Sequence, residues 1–167
     1  FHIYNNLCLN GGIKLREGFY RVVENNIMVN NSLHPHAWFN HSGDVFTRNI
    51  VMREYFPYQV EQWGRMVDYN IFADERSMAR VREKGTDAHS IVVPLMFANP
   101  SEGDYTLPDN SDAILKGSFQ NFDMTNFGVV SAHLKAIARV PRMSVPVSMV
   151  ESIDSQVKNW LGLSIKN

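Results

Sequence analysis

The chain has 167 residues, of which 44% are hydrophobic, 20% charged and 11% aromatic. That composition excludes a disordered tail, a collagen-like fibre and a disulfide scaffold, and leaves a globular domain. Sixteen Lys plus Arg against seventeen Asp plus Glu give a net charge of -1, which argues against a general nucleic-acid binder.

Asparagine pairs punctuate the first third, at Asn5-Asn6, Asn25-Asn26 and Asn30-Asn31. Such pairs favour turns, because the side chain bonds its own backbone and tolerates a positive φ. Between them Phe1 to Tyr4, Ile13 to Val23 and Ile27 to Leu33 read as strands. Val45 to Phe56 is assigned to a strand through Phe46, Ile50, Met52 and Phe56. From Pro57 the period changes, with Val60, Trp63, Val67 and Ile71 at helical spacing. A second helix is expected over Asp74 to Lys84, acidic in its first turn, basic in its last and stopped by Gly85. Ser90 to Ala98 reads as an edge strand, since Pro94 cannot donate to a ladder, and Asn99 to Asp112 as a polar loop.

Ala113 to Phe122 and Val130 to Val140 then read as a long antiparallel hairpin. Val130, Ala132, Leu134, Ala136, Ala138 and Val140 form one face of its second strand. Ser148 to Leu161 closes the chain as an amphipathic helix, opened by the capping box Ser148-x-x-Glu151 and carrying Val150, Ile153, Val157 and Trp160. No internal repeat is apparent. The expected architecture is a single α+β domain over residues 1–167: a mainly antiparallel sheet, two central helices and an amphipathic C-terminal helix.

Cys8 is the only cysteine, so an intrachain disulfide, a four-thiolate zinc site and a cysteine-ligated cluster are excluded. As a nucleophile it would need a nearby base; a small buried apolar residue is the plainer reading. No apolar run approaches the ~20 residues that span a bilayer. The first residue is Phe1, which is expected of a processed product or an excised domain. The sequence contains neither a glycine-rich phosphate loop nor a Gly-x-Ser-x-Gly elbow. Glu102, Asp104, Asp109 and Asp112 read as a solvated loop without EF-hand spacing.

Three of the six histidines fall in the segment His34-Pro35-His36-Ala37-Trp38-Phe39-Asn40-His41. On an extended backbone His34 and His36 share a face, and with His41 or Asp44 they could hold a divalent transition metal. The spacing resembles the first half of the cupin metal motif, a His-x-His pair followed by a carboxylate ligand. Here Asn40 and His41 stand where the carboxylate is expected, the upstream glycine is missing, and the motif's second half has no counterpart around His89 or His133. The resemblance implies a metal held by His34, His36 and His41. Against it stands a polar His-rich loop without metal or other cofactor.

Basic residues cluster at Arg76, Arg80, Arg82 and Lys84 and at Lys116, Lys135, Arg139 and Arg142, where a binding module with a basic hairpin face would meet phosphate. Helix-end complementarity already accounts for the first group. In the absence of a complete catalytic signature, the expectation is a non-catalytic structural or assembly subunit, such as one of a viral or phage particle. Its partners would be copies of itself or other protein subunits, because strand-rich domains satisfy exposed edges by pairing.

Overall fold

The computed structural model describes residues 1–36, 39, 41–56, 62–125 and 127–137, with His36 described by its backbone alone. Residues Phe1–Asn126 form one compact unit and Phe127–Asn167 a second.

The first unit is a parallel β-solenoid. Its first coil carries β1 (His2–Tyr4), β2 (Leu7–Cys8) and β3 (Ile13–Arg16), and its second β4 (Val22–Glu24), β5 (Ile27–Met28) and β6 (Leu33–His36). The third carries β7 (Val45–Thr47) and β8 (Ile50–Val51), the fourth β9 (Met66–Val67), β10 (Ile71–Phe72) and α1 (Glu75–Arg82), and β11 (Ile91–Val92) follows. Equivalent strands stack into three sheets, ordered β1-β4-β7-β9, β2-β5-β8-β10-β11 and β3-β6, and every strand pair in them is parallel. His2 pairs with Val22, Val22 with Val45 and Val45 with Met66, so successive coils advance by 20, 23 and 21 residues. The chain therefore contains the internal repeat that its sequence does not advertise.

The burial pattern explains the strand sequences. Val23, Phe46 and Val67 from the first sheet, Met28, Val51 and Phe72 from the second, and Ile13, Leu15 and Leu33 from the third fill one interior. The second sheet is buried on its other face too, where Ile27, Ile50 and Ile71 pack under Val93, Tyr105, Leu107, Ala113 and Phe119. Strands covered on both faces read as apolar runs, as Ile-Met, Ile-Val and Ile-Phe do here. In the fourth coil α1 replaces the third strand, and its Met78 and Val81 close the interior.

Several expectations are corrected. The antiparallel α+β sheet is replaced by parallel strands in a solenoid: the in-out alternation is the same in both, and only the connections differ. The strand expected over Ile13 to Val23 breaks at Tyr20, which has a φ of 55°. The helix expected from Pro57 fails where it is described, since Val67 lies on β9 and Ile71 on β10. The helix at Asp74 to Lys84 is α1, capped by the Asp74 side chain accepting from Ser77 N at 2.8 Å. Ser90 to Ala98 contributes β11, at the edge of its sheet. The polar loop Asn99 to Asp112 holds a short 3-10 turn, Pro100–Glu102, yet also the buried Tyr105 and Leu107.

The hairpin is absent among the described residues. Ala113 lies in the helical turn α2 (Asp112–Leu115), and α3 (Ala132–Ile137) occupies the alternating segment. Leu134, expected in a core, is 51% exposed. The small residues Ala132 and Ala136 carry alternation equally well as helix formers. The helix expected at Ser148 to Leu161 lies outside the described residues.

Candidate functional site

Each passage from the first sheet to the second is a tight corner. Asn5, Asn25, Arg48 and Tyr69 occupy it with φ between 52° and 59°, and each is followed by an asparagine: Asn6, Asn26, Asn49 and Asn70. These amides form a directional ladder. Asn6 N and Nδ2 donate to Asn26 Oδ1 at 3.0 and 2.8 Å, and Asn26 N and Nδ2 to Asn49 Oδ1 at 3.1 and 2.9 Å. Asn49 N donates in turn to Asn70 Oδ1 at 3.0 Å. Each Nδ2 also returns to the coil before it, Asn26 to Ile3 O at 3.0 Å and Asn49 to Val23 O at 3.1 Å. A primary amide carries the acceptor and the two N–H donors that each rung of such a stack uses; a column of carboxylates would repel itself.

The two ends of the ladder differ. At the far end Asn70 N donates to Ser90 Oγ at 2.7 Å and Asn70 Nδ2 to Asp87 Oδ1 at 3.0 Å. Tyr55 Oη and Ser90 Oγ donate to the same Asp87 oxygen at 3.0 and 2.7 Å. Burial pushes the Asp87 carboxyl above its ordinary range, against the bonds from Ser90, Asn70 and Tyr55. Burial, followed by the Asp87 charge, pushes the Tyr55 phenol well up as well. Asp87 N meets Val67 O at 2.9 Å, which satisfies the last strand of the first sheet. Asp87 is only 1% exposed at this corner, while β11 remains the edge strand of the second sheet.

The near end is the coil with which the sequence starts. β1, β2 and β3 are all edge strands. Asn6 Oδ1 takes no hydrogen bond among the described residues, and Asn6 is exposed. Phe1 O and Asn5 N both bond to the second coil; by the alternation of strand groups, those of His2 and Tyr4 face away from it. Ile3 and Cys8, which pack against the interior, and Leu7, which packs on the second sheet's other face, are only half-buried.

The histidines stand apart from this end-to-end system. His34 lies on β6, its ring stacked on Phe56 at 4.7 Å; the backbone of His36 pairs with Arg16 in the same sheet; and His41 is exposed in a turn. Asp44 is taken by Arg21, whose Nη2 and Nε donate to it at 2.6 and 3.1 Å in a buried, bidentate pair. Among the described residues no group of three His, Cys, Asp or Glu gathers to hold a metal ion. The cupin-like spacing thus falls on a parallel solenoid strand, whereas cupins are double-sheet jelly rolls. Burial raises the Cys8 thiol, which makes it a poor nucleophile.

Part of the basic clusters is likewise engaged, and Arg139 and Arg142 lie outside the described residues. Arg80 pairs with Glu54, and Arg82 donates to Asp87 O and Ser90 O at 3.0 and 2.9 Å. A groove of about 340 Å³ beside the corner ladder is lined by Arg48, Tyr69, His89 and Lys116. Each of its basic groups is paired with a carboxylate outside the lining: Arg48 with Glu24, His89 with Asp68 at 2.6 Å, Lys116 with Asp112 at 2.9 Å. At Asp68, burial pulls the carboxyl up, but hydrogen bonds from His89 and Tyr69 outweigh it and hold it below its ordinary value. The groove therefore carries no surplus charge to draw in an anion. Within the acidic loop Asp104 accepts from Thr106 N at 2.9 Å, and no helix among the described residues is long and apolar enough to cross a membrane.

The residues that sequence reasoning missed are Asn6, Asn26, Asn49, Asn70 and Ser90. The signal was available in the 20-residue interval between Asn5-Asn6 and Asn25-Asn26, though single asparagines replace the pair in later coils. Comparison with protein-family models, with curated proteins and with solved structures finds no match for this chain.

Proposed function

We propose that the chain is a non-catalytic structural or assembly subunit, of the kind a viral or phage particle uses, joining further protein through an exposed strand edge of its solenoid. One observation carries the reading: the second sheet ends in β11, an edge strand whose apolar Ile91 and Val92 are only half-buried. Solenoid coils contact only their neighbours, so terminal coils need either a cap or another coil. An uncovered, half-apolar strand edge is a template for pairing.

Sedimentation equilibrium combined with amide hydrogen exchange tests this. Support comes from association that protects the β11 amides and that Val92→Pro abolishes, since the Val92 N–H faces away from β10. A protein that stays monomeric, or associates equally well with Val92→Pro, would refute the reading.

A further inference from the structure

The groove of about 340 Å³ beside the corner ladder has two walls, and each is fixed by bonds outside it. One wall is the corner column. Its Tyr69 is 49% exposed, and the Tyr69 ring lies on that of His89, centroids 5.1 Å apart and planes 10° from parallel. Asp68 holds the pair in place, accepting from Tyr69 N at 2.8 Å, from His89 N at 2.7 Å and from His89 Nδ1 at 2.6 Å. The other wall is the segment after α2. A Cβ at Gly117 would sit 2.5 Å from the Ile71 side chain, so this segment presses against the second sheet, and Gln120 exchanges two bonds of 2.8 Å with the Asn25 side chain. Between these anchors Ser118 stands exposed with a φ of 56°, a strained conformation for a residue other than glycine, of the kind that gathers at ligand sites.

Charge and shape select the ligand. Arg48, His89 and Lys116 each have a carboxylate of their own, and no Asp or Glu is among the lining residues, so neither an anion nor a cation finds an unmatched opposite charge. Hydrogen-bonding capacity is left over nonetheless. The bond to Asp68 uses His89 Nδ1 and leaves Nε2 without a partner among the described residues. Ser118 Oγ has none there either, and Arg48 gives Nη2 to Glu24 while keeping its other N–H groups. These groups rim a flat aromatic plate that is already ordered before any ligand arrives, which lowers the cost of binding. We infer that the groove binds a neutral saccharide, with the C–H face of a pyranose ring on Tyr69 and its hydroxyls on His89 Nε2, Ser118 Oγ and the Arg48 guanidinium. Its volume lies at the lower end of the about 300–1,000 Å³ of ligand pockets. A nucleotide could stack on the same ring, but its phosphate would find every cation engaged.

The experiment titrates maltotriose, cellotriose, mannotriose and galactotriose separately into the isotope-labelled full chain and follows the amide resonances. Saturable shifts centred on Tyr69, His89 and Ser118 are expected for at least one of them. Tyr69→Asn should weaken that binding at least about tenfold, and it keeps the fold, since asparagine already occupies the equivalent corner at Asn5 and Asn25. Ser118→Gly removes the hydroxyl while relaxing the positive φ, and should weaken binding about threefold. Adenosine, a neutral aromatic ligand, should leave the same resonances in place. Shifts lying away from the groove, undiminished affinity in both variants, or adenosine binding in place of the saccharides would overturn the inference. So would the absence of a saturable response to all four at about 10 mM, where a ligand with a Kd of about 1 mM is about nine-tenths bound.

Discussion

Truncating one buried amide in the middle of the ladder should cost far more than truncating the exposed Asn6. In Asn49→Ala, the Asn26 backbone N–H loses its 3.1 Å acceptor inside the protein; an orphaned buried donor costs about 1–3 kcal/mol. The donors to Val23 O and Thr47 O, at 3.1 and 2.9 Å, disappear too, each worth about 0.5–1.5 kcal/mol net. Asn26 Nδ2 keeps Ile3 O and Glu24 O, and Asn70 Oδ1 keeps the Asn49 N–H, so these add little. The expected loss is about 2–6 kcal/mol, a large part of the about 5–15 kcal/mol by which a domain is stable. Asn6→Ala removes an exposed amide whose bonds water can replace, and should cost about 1 kcal/mol or less. Urea unfolding followed by circular dichroism, at unchanged slope, measures both. A loss for Asn49→Ala below about 1 kcal/mol, or no larger than that for Asn6→Ala, would refute the ladder as a source of stability.

Other measurements probe the coils separately. A Cβ at Gly12 would sit 2.1 Å from Ser32 O, whereas one at Gly11 would meet nothing within 4 Å; Gly12→Ala should therefore cost about 1–3 kcal/mol and Gly11→Ala stay within about 0.5 in thermal unfolding. Leu134→Ala, which a core strand would make costly, should also stay within about 0.5 kcal/mol, because that side chain is exposed. The raised Asp87 carboxyl binds a proton more tightly folded than unfolded, so its contribution to stability falls as pH rises through the window above the ordinary carboxylate range. Asp87→Asn should flatten that component in unfolding measured from about pH 4 to 7, and an unchanged pH profile would contradict the assignment. After incubation with excess zinc and desalting, elemental analysis should find well under one equivalent; stoichiometric zinc lost in His34→Ala and His36→Ala would show that those histidines converge on a metal.

How much of this was legible depends on which physical signal each residue carried. α1 was readable because its information is local: Asp74 at the cap, basic residues in the last turn, and Met78 and Val81 one turn apart on a buried side. The turns at Asn5 and Asn25 were readable for the same reason. The sheet's direction was not, because Val23, Phe46 and Val67 point inward whether their neighbours run parallel or antiparallel. What distinguishes the two is the distance between equivalent corners, and that distance varies from coil to coil. The variation lies in the loops beyond the third sheet, which absorb insertions without disturbing the stacked rungs. Residue identity at the left-handed corner hid it further, since asparagine there gives way to Arg48 and then Tyr69.

The asparagine ladder was the least legible feature, because Asn6, Asn26, Asn49 and Asn70 lie far apart in the sequence and each looks locally like an ordinary turn residue. Its meaning appears only when it is followed from coil to coil and found to finish in acceptors at Asp87 and Ser90. A non-polar stack, such as the column of Ile27, Ile50 and Ile71, fixes no direction along the solenoid. The amide column beside it does, and so the hydrogen bonds, which contribute less to stability than the apolar interior, decide the orientation of each coil on the next.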